Sequence, residues 1–412
     1  MARILVAGHG SRGDIQPLLA LAVGLQAAGH EIEMISPPDF TAWIQGYGIP
    51  VHSLGESMQD LVATYGATLM KNPVEVLRHM LSLIHANLAL QHEKTLPLAE
   101  GFDLIVASSL QLSAFTAADY WQIPYRYLVY CPSLIPSKDY MSLLWPWPEL
   151  HPSLHERAWQ LEKIGWQWAL GGLINRERKK IGLPAVQEIV DCFLSPHPLL
   201  AAYRELASAP RDVTPLTQIP ALHLKAQETC LPPEVEDYLQ AGSAPIYLGF
   251  GSMNDGKAEA STAAMIKLAR KRKERFILSK GWGGLGTQSA LPENIFLIEA
   301  LPHDLLFPRL RAVIHHGGAG TTSAAARAGL PQQLVPHLLD QHYWAHAVHT
   351  RGLGPPALPK RLFKAEALDN ALQRLLREDY YARAQALGKK LRLQNGVEQA
   401  VQFLEAELAS TK

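Results

Sequence analysis

Short apolar runs alternate with segments of helical spacing over almost the whole chain. Residues 3–7 (RILVA) form an apolar run that ends in glycines, residues 17–28 place apolar side chains at three- and four-residue intervals, and residues 31–36 turn extended again. That opening predicts a βαβ unit. Runs at 104–107 and 125–130 are apolar throughout, as strands covered on both faces of a parallel sheet must be. A second series starts at 246–250 and continues at 276–279, 295–298, 312–315 and 333–336, each separated from the next by a turn or a helical stretch. Between the series, residues 209–245 are proline-rich and poorly periodic, and read as a linker. Past Lys364, periodic segments at 365–377, 380–391 and 396–408 predict a helical tail. The pattern implies an α/β protein with two doubly wound parallel-sheet domains facing across a cleft. Their expected bounds are 1–212 and 245–390, with 213–244 as linker and a helix in 391–412 that packs back on the first domain.

Composition narrows the partners. The 412 residues are 48% hydrophobic and 18% charged, enough apolar surface for two cores. Lys and Arg total 38, as do Asp and Glu, so no net field favours nucleic acid or an anionic surface as the main partner. Three scattered cysteines (Cys131, Cys192, Cys230) have neither disulfide nor metal spacing and are expected as buried thiols in a reducing compartment, the cytoplasm. Residues 1–8 lead straight into a strand, and no window reaches the roughly 18 unbroken apolar residues of a membrane span. Neither an export signal nor a transmembrane anchor is therefore expected.

Two glycine turns sit at predicted strand ends, where ligands bind in such folds. In Ile314-His315-His316-Gly317-Gly318-Ala319-Gly320-Thr321-Thr322 the chain passes from a strand through glycines into an Ala-rich helix. The backbone can come close to a phosphate there, and the helix N-terminus supplies unpaired N–H donors. His316 can add a hydrogen bond or a charge. The other reading is a turn whose glycines serve geometry alone.

The amino-terminal turn Gly8-His9-Gly10-Ser11-Arg12-Gly13 has dinucleotide-binding spacing, but Asp14 follows at the mouth of the next helix, where a pyrophosphate would be repelled. No acidic residue marks the tip of the second strand, at Ser36-Pro37-Pro38, to hold a ribose. Asp14 is instead a candidate general base at a strand end above the cleft, with Gly10, Ser11, Arg12 and Gly13 shaping the turn. Burial would raise its pKa, and pairing with Arg12 would oppose that rise. A capping role for Asp14 at a helix beginning near Pro17 is compatible with either function.

Gly10 to Pro17 (GSRGDIQP), His315 to Thr322 and Asp340-Gln341 together resemble the GT-B superfamily of family 1 UDP-dependent glycosyltransferases, over both domains. The GSRGD turn is similar to that of bacterial glycopeptide and macrolide glycosyltransferases and of sterol glucosyltransferases. Asp340-Gln341-His342-Tyr343-Trp344-Ala345, Gly352-Leu353-Gly354-Pro355 and Leu358-Pro359-Lys360 are nearer the sterol 3β-glucosyltransferases. The resemblance implies a UDP-sugar, UDP-glucose first, held by the second domain. Ser252, His316, Gly318, Ala319, Gly320 and Thr321 would grip the diphosphate, and Asp340 and Gln341 would bond sugar hydroxyls or cap the helix that follows.

Departures from the family pattern shift some roles. The plant members place a histidine where Asp14 stands, oriented by an aspartate whose place is taken here by Ser108, so Asp14 is left to act alone. The Trp that stacks on uracil corresponds to Ala300, beside Leu301. Trp282 is the substitute for it, or packs on the sheet edge. The ribose-binding Glu maps near Ala324, which leaves UDP against dTDP open.

Attack by an acceptor oxygen opposite the leaving diphosphate implies inversion at the sugar. No Asp-x-Asp motif is present, so no obligatory metal or other cofactor is expected; His342, His346 and His349 share a helical face without a partnered carboxylate. The Trp-rich segment 140–168, with Trp145 and Trp147 named for the acceptor pocket, suits a flat hydrophobic hydroxylated molecule such as a sterol, or is an ordinary aromatic core. No basic amphipathic helix is legible, and a weak peripheral membrane contact is all that a lipid acceptor would require. The same chemistry on a polyketide, glycopeptide or hydroxylated lipid is the alternative. A GT-B-fold nucleotide-sugar epimerase needs no hydrophobic acceptor pocket, and a silent lipid-binding relative would not need Asp14 and Asp340.

Overall fold

The structure, a computed structural model, describes residues 1–61, 64, 73–145, 150–253, 257–287 and 290–410, with side chains described for all of these except 73–81 and 83. Twelve strands form two wholly parallel sheets among these residues. The first contains β1 (Arg3–His9), β2 (Glu31–Ser36), β3 (Val51–Ser53), β4 (Leu104–Ser109), β5 (Tyr125–Val129), β6 (Leu199–Ala201) and β7 (Thr217–Ile219) in the order β3-β2-β1-β4-β5-β6-β7. The second contains β8 (Ile246–Gly249), β9 (Phe276–Ser279), β10 (Ile295–Ile298), β11 (Ala312–His315) and β12 (Gln332–Leu334) in the order β10-β9-β8-β11-β12. The order reverses between β1 and β4 in one sheet and between β8 and β11 in the other. Crevices at such switch points open outside the carboxyl ends of the strands, and both glycine turns leave from them.

The long apolar runs lie where periodicity places them, whereas β3, β6 and β7 were not expected. Each has three residues, too few for alternation to register. The expected linker 213–244 contains one short strand and one helix. Its start supplies β7, and the helix Pro233–Gln240 buries Val235 and Leu239 beside Tyr247 and Ile277 of the second sheet. The first helix runs Arg12–Ala27, five residues earlier than its apolar spacing suggested. Pro17 is tolerated inside it, and Ser11 and Asp14 form a capping box at its start.

One cluster of buried side chains joins the two halves on one side of the cleft, with Tyr203, Leu206 and Ala207 packed in the same core as Trp344, Val348 and Leu391. Polar contacts follow the same seam. Arg327 Nη1 donates to Tyr203 Oη at 3.2 Å and to the Leu391 carbonyl at 2.6 Å, and Arg351 Nε donates to the Glu205 carbonyl at 2.6 Å. The last helix, Gly396–Ser410, packs against Arg12–Ala27, with Ala400, Val401, Leu404 and Leu408 in the core that holds Leu18 and Leu21. Arg126 Nε clamps it by donating to Glu407 Oε2 at 2.6 Å. Cys131 is buried as expected, but Cys192 is half-buried and Cys230 exposed; all three are free.

Gly24 is the contact point of these two helices, for a Cβ there would lie 2.3 Å from Val397 Cγ1. Gly24→Leu is expected to lower stability by about 1–3 kcal/mol through overpacking, read as a lower midpoint in urea unfolding.

Candidate active site

A cleft of about 1290 Å³ runs between the carboxyl ends of the two sheets. Its walls include Gly10, Ser11, Arg12, Gly13 and Asp14 from the first half, and Ser252, Trp282, Leu301, His316, Gly318, Ala319, Gly320, Thr321, Asp340 and Gln341 from the second. Residues as distant in sequence as His9 and Arg392 thus share one cavity, because both sheets present their switch points to it.

On the first side the chain leaves β1 through Gly10, where a Cβ would come 2.5 Å from Asp14 Oδ2, so only glycine lets the carboxylate fold back on the turn. Asp14 Oδ2 accepts from Ser11 N at 2.7 Å and Ser11 Oγ at 2.9 Å, while Oδ1 accepts from Ser109 Oγ at 2.7 Å. No second carboxylate or histidine bonds Asp14 among the described residues; the hydroxyl that reaches it comes from Ser109, one residue beyond the position compared with the plant aspartate. In the register of β1 with β4, Ser108 turns its hydroxyl to the Leu128 carbonyl, and Ser109, at φ +58°, reaches Asp14. Positive φ is strained for serine, and here it aims a donor at the carboxylate. Tyr127 Oη holds the Ser109 carbonyl at 2.5 Å, and Tyr130 Oη donates to the Asp14 carbonyl at 3.1 Å. Arg12 does not pair with Asp14; its guanidinium lies 4.7 Å over the Trp43 ring.

On the second side β11 ends at His315, whose Nε2 bonds Gln332 Oε1 at 2.9 Å while Nδ1 accepts from Gly317 N at 3.1 Å, fixing the turn. The helix Ala319–Ala328 starts at once. Thr322 makes its first internal bond, to the Gly318 carbonyl at 3.0 Å, so the amides of Ala319, Gly320 and Thr321 face outward by helix geometry. The His316 ring lies between Gly251 and Gly318, where Cβ atoms would stand 3.2 and 2.6 Å from it. Its buried Nδ1 has no partner among the described residues.

Asp340 caps the helix Gln341–Thr350 by position, and its Oδ2 accepts from Trp344 Nε1 at 3.1 Å. The Gln341 side chain is engaged by the protein itself. Its Oε1 accepts from the His337 and Leu338 amides at 2.8 and 3.2 Å, which braces the loop before the helix. Trp282 packs across the cleft, stacked on Phe40 at 6.5 Å and 19°.

Burial dominates the electrostatics. It raises the Asp14 pKa, against the pull of the Ser109 and Ser11 donors. Asp340 is pushed up to about 7 by burial and then by the charge of Asp14 across the cleft. His316 falls well below its usual 6.5 through burial and the neighbouring His315, His337 and His303, so it enters neutral chemistry as a hydrogen-bonding imidazole. Among the described residues no cluster of His, Cys, Asp and Glu is arranged to hold a metal ion.

The tryptophans expected for an acceptor pocket are not the ones that line the cleft. Trp147 lies outside the described residues, and Trp145 is exposed and absent from the cleft wall, its amide closing a turn on the Ser142 carbonyl at 3.1 Å. That part of the cleft is lined instead by Trp159, Glu162, Trp166 and Leu170 of the helix His155–Lys180, and Leu112 and Phe193 line the same cleft. Spacings of three and four residues put those four on one helix face, a signal available within the Trp-rich segment. Glu162 Oε1 accepts from Trp166 Nε1 at 3.2 Å, and burial raises its pKa. His9, Ser109, Tyr127, Tyr130 and His303 also line the cleft, and no spacing rule marks them.

Comparison with known proteins identifies this architecture. Residues 4–125 match the glycosyltransferase family 28 N-terminal domain, and residues 281–399 match the erythromycin biosynthesis protein CIII-like C-terminal domain. Glycosyltransferase GtfE of Amycolatopsis orientalis is 36% identical over 423 residues, covering 100% of this chain and 98% of the relative. The chain belongs to the GT-B glycosyltransferases. The vancomycin aglycone glucosyltransferase of the same organism is 34% identical, over 98% of this chain and 97% of the relative. A sterol 3-beta-glucosyltransferase of Arabidopsis thaliana is 29% identical, over 98% of this chain and 65% of the relative. The glycosyltransferase VinC, solved in complex with dTDP, shares the GT-B fold with a TM-score of 0.70 at 20% identity, over 100% of both chains.

The Asp340 shift has a consequence for stability. A carboxyl whose pKa rises from 3.8 to about 7 on folding binds its proton more tightly in the native state, so stability falls as pH rises from about 4 to 7 and levels off above. Asp340→Asn removes the titrating group. It is expected to flatten that fall and to gain up to a few kcal/mol over wild type above pH 7, as thermal unfolding across pH would measure.

Proposed function

We propose that this GT-B glycosyltransferase moves a hexose, with inversion, from a nucleoside-diphosphate sugar, UDP-glucose being the first candidate, to a hydroxyl of a bulky hydrophobic aglycone of sterol type. The observation that carries this reading is the placement of Asp14 and Asp340 on opposite walls of one cleft, near enough for the charge of one to raise the pKa of the other. Asp14 takes the proton of the acceptor hydroxyl as its oxygen bonds the anomeric carbon, and the bond from that carbon to the diphosphate oxygen breaks. The desolvated carboxylate is a stronger base than one in water, and the serine donors hold it in place. The departing diphosphate is met by the outward amides of Ala319, Gly320 and Thr321, the helix N-terminus, the His316 imidazole and Ser252. Asp340 accepts sugar hydroxyls, with Gln341 bracing its loop. The base lies beside Leu301 and the ring of Trp282. The apolar wall of Trp159, Trp166 and Leu170 receives the aglycone.

A glycopeptide or polyketide aglycone is the second reading, favoured by 34% identity to the vancomycin aglycone glucosyltransferase over nearly the full length of both chains. Mass-spectrometric screening of the purified protein with UDP- and dTDP-sugars against sterols and polyphenolic aglycones separates the two.

Asp14→Asn is expected to leave nucleotide-sugar affinity near wild type by calorimetry while lowering transfer by about 10²-fold or more; wild-type turnover would remove Asp14 from the mechanism. His316→Ala should weaken donor binding and turnover together, and an unchanged donor titration would contradict its role at the diphosphate.

A further inference from the structure

We propose that the outward face of the helix His155–Lys180 docks on an anionic lipid bilayer, independently of which aglycone the cleft receives. Of the 15 large apolar side chains exposed among the described residues, seven lie between Leu144 and Trp168. The helix itself exposes Leu161 (64%), Ile164 (66%) and Trp168 (83%). At about 3.6 residues per turn these three share an arc of about 60° with Arg157 and Lys179, and Arg176 lies beside it. No Asp or Glu falls on the arc, and Arg157, Arg176 and Lys179 enter no ion pair among the described residues. An apolar stripe with an exposed tryptophan and cations at both ends is the arrangement by which a helix lies in a lipid headgroup region.

The opposite side of the same helix carries Trp159, Glu162, Trp166 and Leu170 into the cleft. Apolar residues on both sides hide the stripe from a sequence reading, since periodicity cannot separate the two faces. A second copy of the chain is the competing occupant. Two such helices packed antiparallel about a two-fold axis would set Arg157 against Arg176 and Lys179 of the mate, an arrangement of like charges. Anionic headgroups would instead pair with all three.

Co-sedimentation of the full chain with phosphatidylcholine vesicles, with and without phosphatidylglycerol, tests the proposal. Binding is expected to the mixed vesicles, to weaken with salt, and to fall by about tenfold or more in the variant L161Q/I164Q/W168Q. The variant R157E/R176E, which leaves the apolar residues intact, should lose about fivefold or more per charge on mixed vesicles. Unfolding midpoints and nucleotide-sugar binding report whether each variant is folded. The proposal is overturned if wild type binds neither vesicle, if both folded variants bind as wild type does, or if light scattering finds a dimer that L161Q/I164Q/W168Q converts to monomer.

Discussion

Two carboxylates in one cleft, both pushed up by desolvation and with no cation bonded to either among the described residues, set the terms for the rest of this structure. Removing a charged group from water costs free energy unless donors replace the lost hydration. Around Asp14 the replacement consists of a capping serine, a strained serine from β4, and two tyrosines that fix the backbone carrying them. Asp340 accepts from the Trp344 indole, and burial with the charge of Asp14 pushes it up to about 7. Between the two carboxylates an uncharged hydrogen-bond donor is tolerated better than another anion, whereas the N-terminus of the helix Ala319–Ala328 attracts negative charge.

The fold supplies that separation. Both switch points open toward the same cleft, so residues that follow β1, β11 and β12 line one cavity. A shared apolar seam around Tyr203 and Trp344, together with the last helix strapped to the first, holds the two halves in register. The same sheet-end geometry leaves the helix His155–Lys180 as an outer wall, one side facing the cleft and the other solvent.

Glycine at positions 10 and 318 marks where backbone and side chain come too close for a Cβ, and the spacing of both is conspicuous in the sequence. Asp14 and His316 stand out in the sequence because each adjoins a glycine turn at a strand end, and Asp340 through its match to the acidic-Gln pair of the family it resembles. Ser109 was not. One residue along β4 reverses the face on which a side chain lies, and Ser108 and Ser109 cannot be told apart without the register and the positive φ of the second. Gln341 stood in the sugar-reading motif, yet its amide is occupied by its own loop, a local bonding choice that sequence does not encode.

Periodicity, glycine spacing and motif residues by themselves determined two parallel-sheet domains and the short segments that carry the chemistry, because strand burial and tight turns are local constraints written in nearby residues. The tryptophan-lined wall of the cleft, the serine bonded to Asp14, the strapping of the last helix and the raised pKa of Asp340 were decided by tertiary structure alone. Each depends on atoms brought together from distant parts of the chain, and desolvation, which governs both carboxylates, exists only once that packing has excluded water.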